Sequence, residues 1–141
     1  MSVPGGVVLV DSNVLLDLVT EDPIWYGWSA EALAAAADGG RLSINPLIYA
    51  EVSVGFDRIE ELDEVLRLDT FLRLSLPWQA AFLAGKCFLA YRRAGGKRRS
   101  PLPDFYIGAH AAVARMPLLT RDPARYRSYL PGLRVIAPEA R

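Results

Sequence analysis

Cysteine and histidine are nearly missing from this chain: Cys87 and His110 are the single examples among 141 residues. One cysteine forms no internal disulfide, which fits a reducing compartment such as the cytosol. With no cysteine–histidine cluster, nothing in the sequence argues for a zinc site. Long apolar runs are missing too. The longest uncharged stretch, Leu74 to Gly85, has 12 residues and contains Pro77, short of the roughly 18 that a membrane-spanning helix needs. Met1 to Val10 holds no basic residue, and Asp11 and Asp17 interrupt the apolar stretch that follows. A secretory signal is therefore not expected, and the location expected is cytoplasmic. The sequence contains no repeat, no low-complexity tract and no linker long enough to separate domains. One domain over residues 1–141, with its core from about 7 to 137, is expected.

Net charge is absent only in the sum. Residues 1–70 hold 13 of the 16 acidic residues and three basic ones, a balance of −10, and residues 71–141 reverse it to +10. Such asymmetry points to a charged partner, or to two halves that attract each other within the fold.

Val7-Val8-Leu9-Val10 is a short β-branched apolar run, the pattern of a buried parallel strand. Asp11-Ser12-Asn13 supplies helix-capping residues ahead of the periodic stretch Val14 to Val19. Further helices are expected over 29–38, from Pro46 to about Phe56, over 59–69, 78–94 and 103–115, and over 123–129. Strands are expected over 41–44, 71–76, 117–120 and 134–136. This alternation predicts an α/β fold, a parallel sheet with helices on both faces.

Four acidic residues stand where ordinary surface carboxylates do not belong. Asp11 follows the first strand directly, and Asp122 follows the strand ending at Thr120 by two residues. In open α/β sheets, ligands bind beyond the carboxyl ends of the strands at a switch point, so neighbouring strands would place both acids on one crevice. Each could instead cap the helix it precedes. Glu51 shares a helix face with Leu47, Ile48 and Gly55, and a carboxylate there needs a cation, whether a basic side chain or a metal. Asp104 lies in the first turn of its helix, where the macrodipole favours an anion. Ile107, Gly108 and Ala111 follow it on the same face, and Gly108 leaves room beside the carboxylate. Carboxylates gathered in one crevice raise each other's pKa unless cations neutralise them. An all-oxygen set selects Mg²⁺ or Mn²⁺ over zinc, and such ions activate water for phosphodiester cleavage.

These segments resemble the PIN domain, and in particular the VapC toxins of bacterial type II toxin–antitoxin pairs. The likeness rests on Val10-Asp11-Ser12-Asn13-Val14-Leu15-Leu16, Tyr49-Ala50-Glu51-Val52, Pro103-Asp104-Phe105-Tyr106-Ile107-Gly108-Ala109-His110-Ala111 and Leu119-Thr120-Arg121-Asp122. The resemblance implies a central parallel five-stranded sheet and Mg²⁺- or Mn²⁺-dependent endoribonuclease activity. It implies a cognate antitoxin as partner, and a homodimer. Asp11, Glu51, Asp104 and Asp122 match its catalytic, metal-binding quartet, and Asn13 and Thr120 match polar positions beside the metals. A non-catalytic PIN-like module that binds RNA or a partner is the alternative. A third reading, an α/β protein phosphorylated on one aspartate, would call for an Asp-x-Asp pair after the first strand, and there is none.

Arg92, Arg93, Lys97, Arg98 and Arg99 straddle Gly95-Gly96 and lead into Asp104. With Arg121 they are expected to hold an RNA backbone. His110, six residues past Asp104, cannot share its helix face and reads as a packed or surface histidine. Asp17 reads as a solvated helix position rather than a support to the site. Cys87 reads as a small core residue. Trp25, Tyr26 and Trp28 form either a docking patch or a piece of core.

Overall fold

The apolar run at the start of the chain forms β1 (Gly6–Val10), whose last three residues are buried. β1 is the central strand of a five-stranded parallel sheet in the order β3-β2-β1-β4-β5. The remaining strands are β2 (Gly40–Ile44), β3 (Phe71–Arg73), β4 (Leu118–Leu119) and β5 (Val135–Ile136). The computed structural model describes residues 6–139. Among these residues seven helices connect the strands: α1 (Ser12–Val19), α2 (Tyr26–Gly39), α3 (Pro46–Ser53), α4 (Ile59–Val65), α5 (Trp78–Arg93), α6 (Pro103–Ala114) and α7 (Ala124–Tyr129). None is long and apolar enough to cross a membrane.

The strand order sets the position of the site. From β1 the chain steps outward through β2 to β3, then returns across the sheet to β4 on the other side of β1. Crossovers that run in these opposite directions diverge from the boundary between β1 and β4. Leu9 pairs with Leu118 and Val10 with Leu119, so the carboxyl ends of β1 and β4 lie side by side at the point where the order reverses. A crevice opens there in folds of this kind because the two connections leave in opposite directions.

Two apolar clusters support it. The main one combines the strands with Val14, Leu15, Ile48, Val52, Leu62, Ile107 and Ala111. The second joins α5, α6 and α7 through Ala80, Ala84, Cys87, Phe105, Ala109 and Leu130. Cys87 is thus a core residue, and small side chains let α5 and α6 approach closely.

Several elements end short of the sequence expectation. The helix expected over 59–69 stops at Val65, because Leu66 leaves helical geometry (φ −102°, ψ 61°) and a turn follows in which Phe71 N–H bonds Arg67 O at 2.8 Å. β3 covers only residues 71–73, since it is an edge strand and the chain turns toward Pro77. α2 begins three residues early, because the Asp22 carboxylate accepts the backbone N–H groups of Ile24 and Trp25 and fixes the turn into the helix.

Candidate active site

Asp11 caps α1 from the end of β1, in extended geometry, with its carboxylate accepting the Ser12 N–H at 2.8 Å. It is 3% exposed. Its Oδ2 also accepts the Thr120 hydroxyl at 2.9 Å and the Tyr126 hydroxyl at 2.8 Å, with Asn13 Nδ2 at 3.4 Å. Despite these donors its pKa rises from 3.8 to about 6. Burial is the main cause, and the charge of Asp104 adds to it. Removing water from a carboxylate penalises its ionised form, and hydrogen bonds return only part of the lost solvation.

Glu51 is placed by α3, which Pro46 opens and Asn45 caps through its side-chain oxygen on the Ile48 N–H at 3.0 Å. The carboxylate is half-buried and accepts the Ser12 hydroxyl at 2.8 Å. Among the described residues it has no basic partner, and burial, followed by the charge of Asp104, holds its pKa above the usual carboxylate value. Asp104 sits in the first turn of α6 behind Pro103. Arg125 Nη1 reaches its Oδ2 at 3.2 Å, and the Tyr126 hydroxyl stands 3.5 Å from its Oδ1. Asp11, Glu51 and Asp104 therefore form one electrostatically coupled group from three distant segments, with Arg125 as its one paired cation among the described residues.

Asp122 is arranged differently. Its backbone N–H bonds the Thr120 hydroxyl at 3.1 Å, the same hydroxyl that donates to Asp11. Its carboxylate is exposed and has no hydrogen-bond or ionic partner among the described residues. Asn13 ties this loop down, donating to Thr120 Oγ1 at 2.9 Å and accepting the Arg121 N–H at 3.2 Å. Asp122 thus stands at the rim of the crevice, two residues from a group bonded to its floor.

No three histidine, cysteine or acidic side chains among the described residues are drawn together as a ready-made ion cage. The donors nevertheless fit a hard divalent cation. They are oxygens throughout, and two of the three inner carboxylates are pushed toward protonation by burial and by a neighbouring negative charge, a tension that a cation relieves.

Other residues take definite places. His110 is buried, with Nδ1 3.0 Å from Asn45 Nδ2. Asn45 Nδ2 can only donate, so Nδ1 accepts and the ring is neutral. His110 therefore braces the cap of the Glu51 helix. Asp17 is not solvated, contrary to the sequence expectation. It is 2% exposed and accepts Ser29 Oγ at 2.7 Å and Arg121 Nε at 2.8 Å. The guanidinium of Arg121 also lies over the ring of Trp25, at 5.5 Å from its centre. Trp25 meets Trp28 edge-on, and Trp28 packs against the main core while Tyr26 stays exposed. Arg92, Arg93, Lys97, Arg98 and Arg99 are all exposed, and none has a carboxylate partner among the described residues. Gly95 adopts φ +96°, which makes the turn, and Arg92 Nη1 closes it on Arg98 O at 2.6 Å.

Sequence reasoning missed three residues at this site. Ser12 reads as a cap residue, but its hydroxyl bridges toward Glu51. Arg125 and Tyr126 follow Asp122 in a stretch that the sequence marks only as a short helix over 123–129. Gly108 carried a usable signal for Tyr126. A Cβ there would stand 2.8 Å from Tyr126 Cδ1 and 2.6 Å from Leu130 Cδ1, so the space beside Asp104 belongs to those two side chains.

The fold is shared with solved toxin–antitoxin complexes. A chain in the toxin–antitoxin complex from Klebsiella pneumoniae superposes with a TM-score of 0.69 at 24% identity, covering 95% of this chain and 99% of that one. VapBC-1 from nontypeable Haemophilus influenzae gives 0.70 at 18% identity, with coverages of 93% and 97%. VapBC2 from Rickettsia felis, bound to a DNA fragment from its promoter, gives 0.69 at 17% identity, with coverages of 94% and 99%. No curated protein sequence matches this chain. The PIN domain family model matches residues 8–128, a span that runs from β1 into α7 and contains all four candidate acids. The chain belongs to the PIN domain family.

Proposed function

We propose that this protein is a Mg²⁺- or Mn²⁺-dependent endoribonuclease, the toxin of a toxin–antitoxin pair. The observation that carries this reading is the coupling of Asp11, Glu51 and Asp104 at the switch point between β1 and β4, with Asp122 at its rim. Structural elements alone do not need so many carboxylates in one half-buried place. A bound divalent cation would supply the charge that polarises a scissile phosphate and makes water a competent nucleophile there. Asp11, Glu51, Asp104 and Asp122 are the residues we assign to hold it.

The chain's own contribution is placement. Thr120 and the Ser12 N–H fix the Asp11 carboxylate, and Asn13 fixes the loop that presents Asp122. Burial lowers the local dielectric, which strengthens every charge interaction at the reacting phosphate. The unpaired cations at 92, 93 and 97–99 lie just ahead of α6, the helix that carries Asp104. We assign them to hold the RNA backbone, which steers and positions without reading sequence. Arg121, tied to Asp17 through Nε, would contribute only its remaining guanidinium nitrogens. The partner we assign is an antitoxin protein, supported by the neighbours being toxin–antitoxin complexes, and the expected assembly is a homodimer.

The test uses purified protein and a mixed RNA pool, with Mg²⁺ or Mn²⁺ and with EDTA. Cleavage should require the cation and disappear in Asp11→Asn and Asp122→Asn. Full cleavage by either variant overturns the assignment, and RNA retention without cleavage under all conditions makes the protein a binding module.

A further inference from the structure

We infer that Tyr126 is a positioning residue for the cation site: its hydroxyl fixes the orientation of the Asp11 carboxylate so that one oxygen is left with a free acceptor direction. This rests on the proposed metal-dependent function of the same site. The hydroxyl lies 2.8 Å from Asp11 Oδ2 and 3.5 Å from Asp104 Oδ1. A phenol has one proton to give, and the distances assign it to Asp11.

Oxygen by oxygen, the occupancy of Asp11 is unequal. Oδ2 accepts Tyr126 and Thr120 at 2.8 and 2.9 Å, which uses both of its lone-pair directions and leaves Asn13 Nδ2 at a long 3.4 Å. Oδ1 accepts the Ser12 N–H at 2.8 Å, with the Ser12 hydroxyl at a marginal 3.5 Å because that hydroxyl serves Glu51. Oδ1 is therefore the oxygen with an acceptor direction left, on the side of Ser12 and Glu51. The two hydroxyls on Oδ2 and the Ser12 N–H on Oδ1 together hold the plane of the carboxylate.

The phenol reaches this place because α6 has no side chain at Gly108, where a Cβ would meet the Tyr126 ring at 2.8 Å. Its ring is otherwise enclosed, with Tyr126 2% exposed. A phenylalanine would fill the same space, and only the hydroxyl touches the acids. Side chains that orient a metal ligand are commonly worth tenfold to a hundredfold in metal affinity.

The experiment is a calorimetric titration of Mn²⁺ into the full chain stripped of metal, for wild type, Tyr126→Phe and Asp11→Asn. Urea melts of the metal-free proteins run alongside. Tyr126→Phe should weaken Mn²⁺ binding by tenfold or more while the metal-free protein keeps a cooperative melt. A tyrosine that served packing alone would be replaced by phenylalanine with no change in the Mn²⁺ affinity of the folded protein. An affinity within twofold of wild type in Tyr126→Phe, with binding lost in Asp11→Asn, overturns the role of the tyrosine alone. Mn²⁺ binding that is absent from the wild type, or untouched by Asp11→Asn, overturns the site itself and the tyrosine's role with it.

Discussion

Replacing Asp11 by asparagine should remove a pH-dependent loss of stability from the metal-free protein. The native carboxylate has a pKa of about 6 against 3.8 without the fold, so between those values the folded state holds a proton that the unfolded chain has released. Stability therefore falls as pH rises through this window and levels off above it. The full loss is about 3 kcal/mol, since each tenfold difference in proton affinity is worth about 1.4 kcal/mol. About 2 kcal/mol of it lies between pH 4.5 and 8. Asparagine has no such titration. For a chain of this length the difference in melting temperature, Asp11→Asn minus wild type, should grow by about 7 °C from pH 4.5 to pH 8. Thermal melts in EDTA across that range read the change, and any constant effect of the amide cancels in the comparison. Saturating Mn²⁺ should raise the wild type alone and close the gap. A difference that stays flat with pH would refute the idea that an ionised, desolvated carboxylate sits at the end of β1.

Three other outcomes follow from contacts in the structure. Arg121→Met should lower stability by about 3 kcal/mol, because it leaves the buried Asp17 charge without its cation; a urea midpoint that hardly moves would contradict that pairing. Arg98→Ala with Arg99→Ala should weaken RNA binding and reduce the slope of log affinity against log salt by about 1.4, as read by fluorescence anisotropy, and an unchanged slope removes these residues from the backbone contact. His110 has its pKa lowered by burial, so it stabilises the fold above the unfolded value of 6.5 and that contribution is lost as pH falls below it. The imidazole resonances should still report the neutral ring at pH 6.5, and a ring half-protonated there would exclude the Asn45 bond.

Local signals carried most of the fold. Val7 to Val10, Pro46, Pro103 and the paired glycines mark element starts and stops with backbone chemistry that distant residues do not alter. The helix over 59–69 was overextended because its apolar spacing continues past Val65, whereas Arg67, Asp69 and Thr70 bond one another and close a turn. Asp17 was misread for a different reason: its partner Arg121 lies 104 residues away, and a helix position cannot announce a distant guanidinium. The inner acids drew attention locally because Asp11 ends a buried strand and Glu51 and Asp104 share small or apolar helix faces. Tyr126 did not, since nothing local singles out one tyrosine of a short helix until the gap at Gly108 is seen as the opening through which it reaches Asp11.

The adjacency of β1 and β4 has a consequence in time as well as space. The first strand is made early, but the strand that completes its neighbourhood, and the tyrosine and threonine that grip its aspartate, come from the last quarter of the polypeptide. A chain still emerging from the ribosome with its first hundred residues exposed carries half a set of acids and no assembled centre. The group of acids described at the end of β1 therefore takes its arrangement only once synthesis is nearly finished.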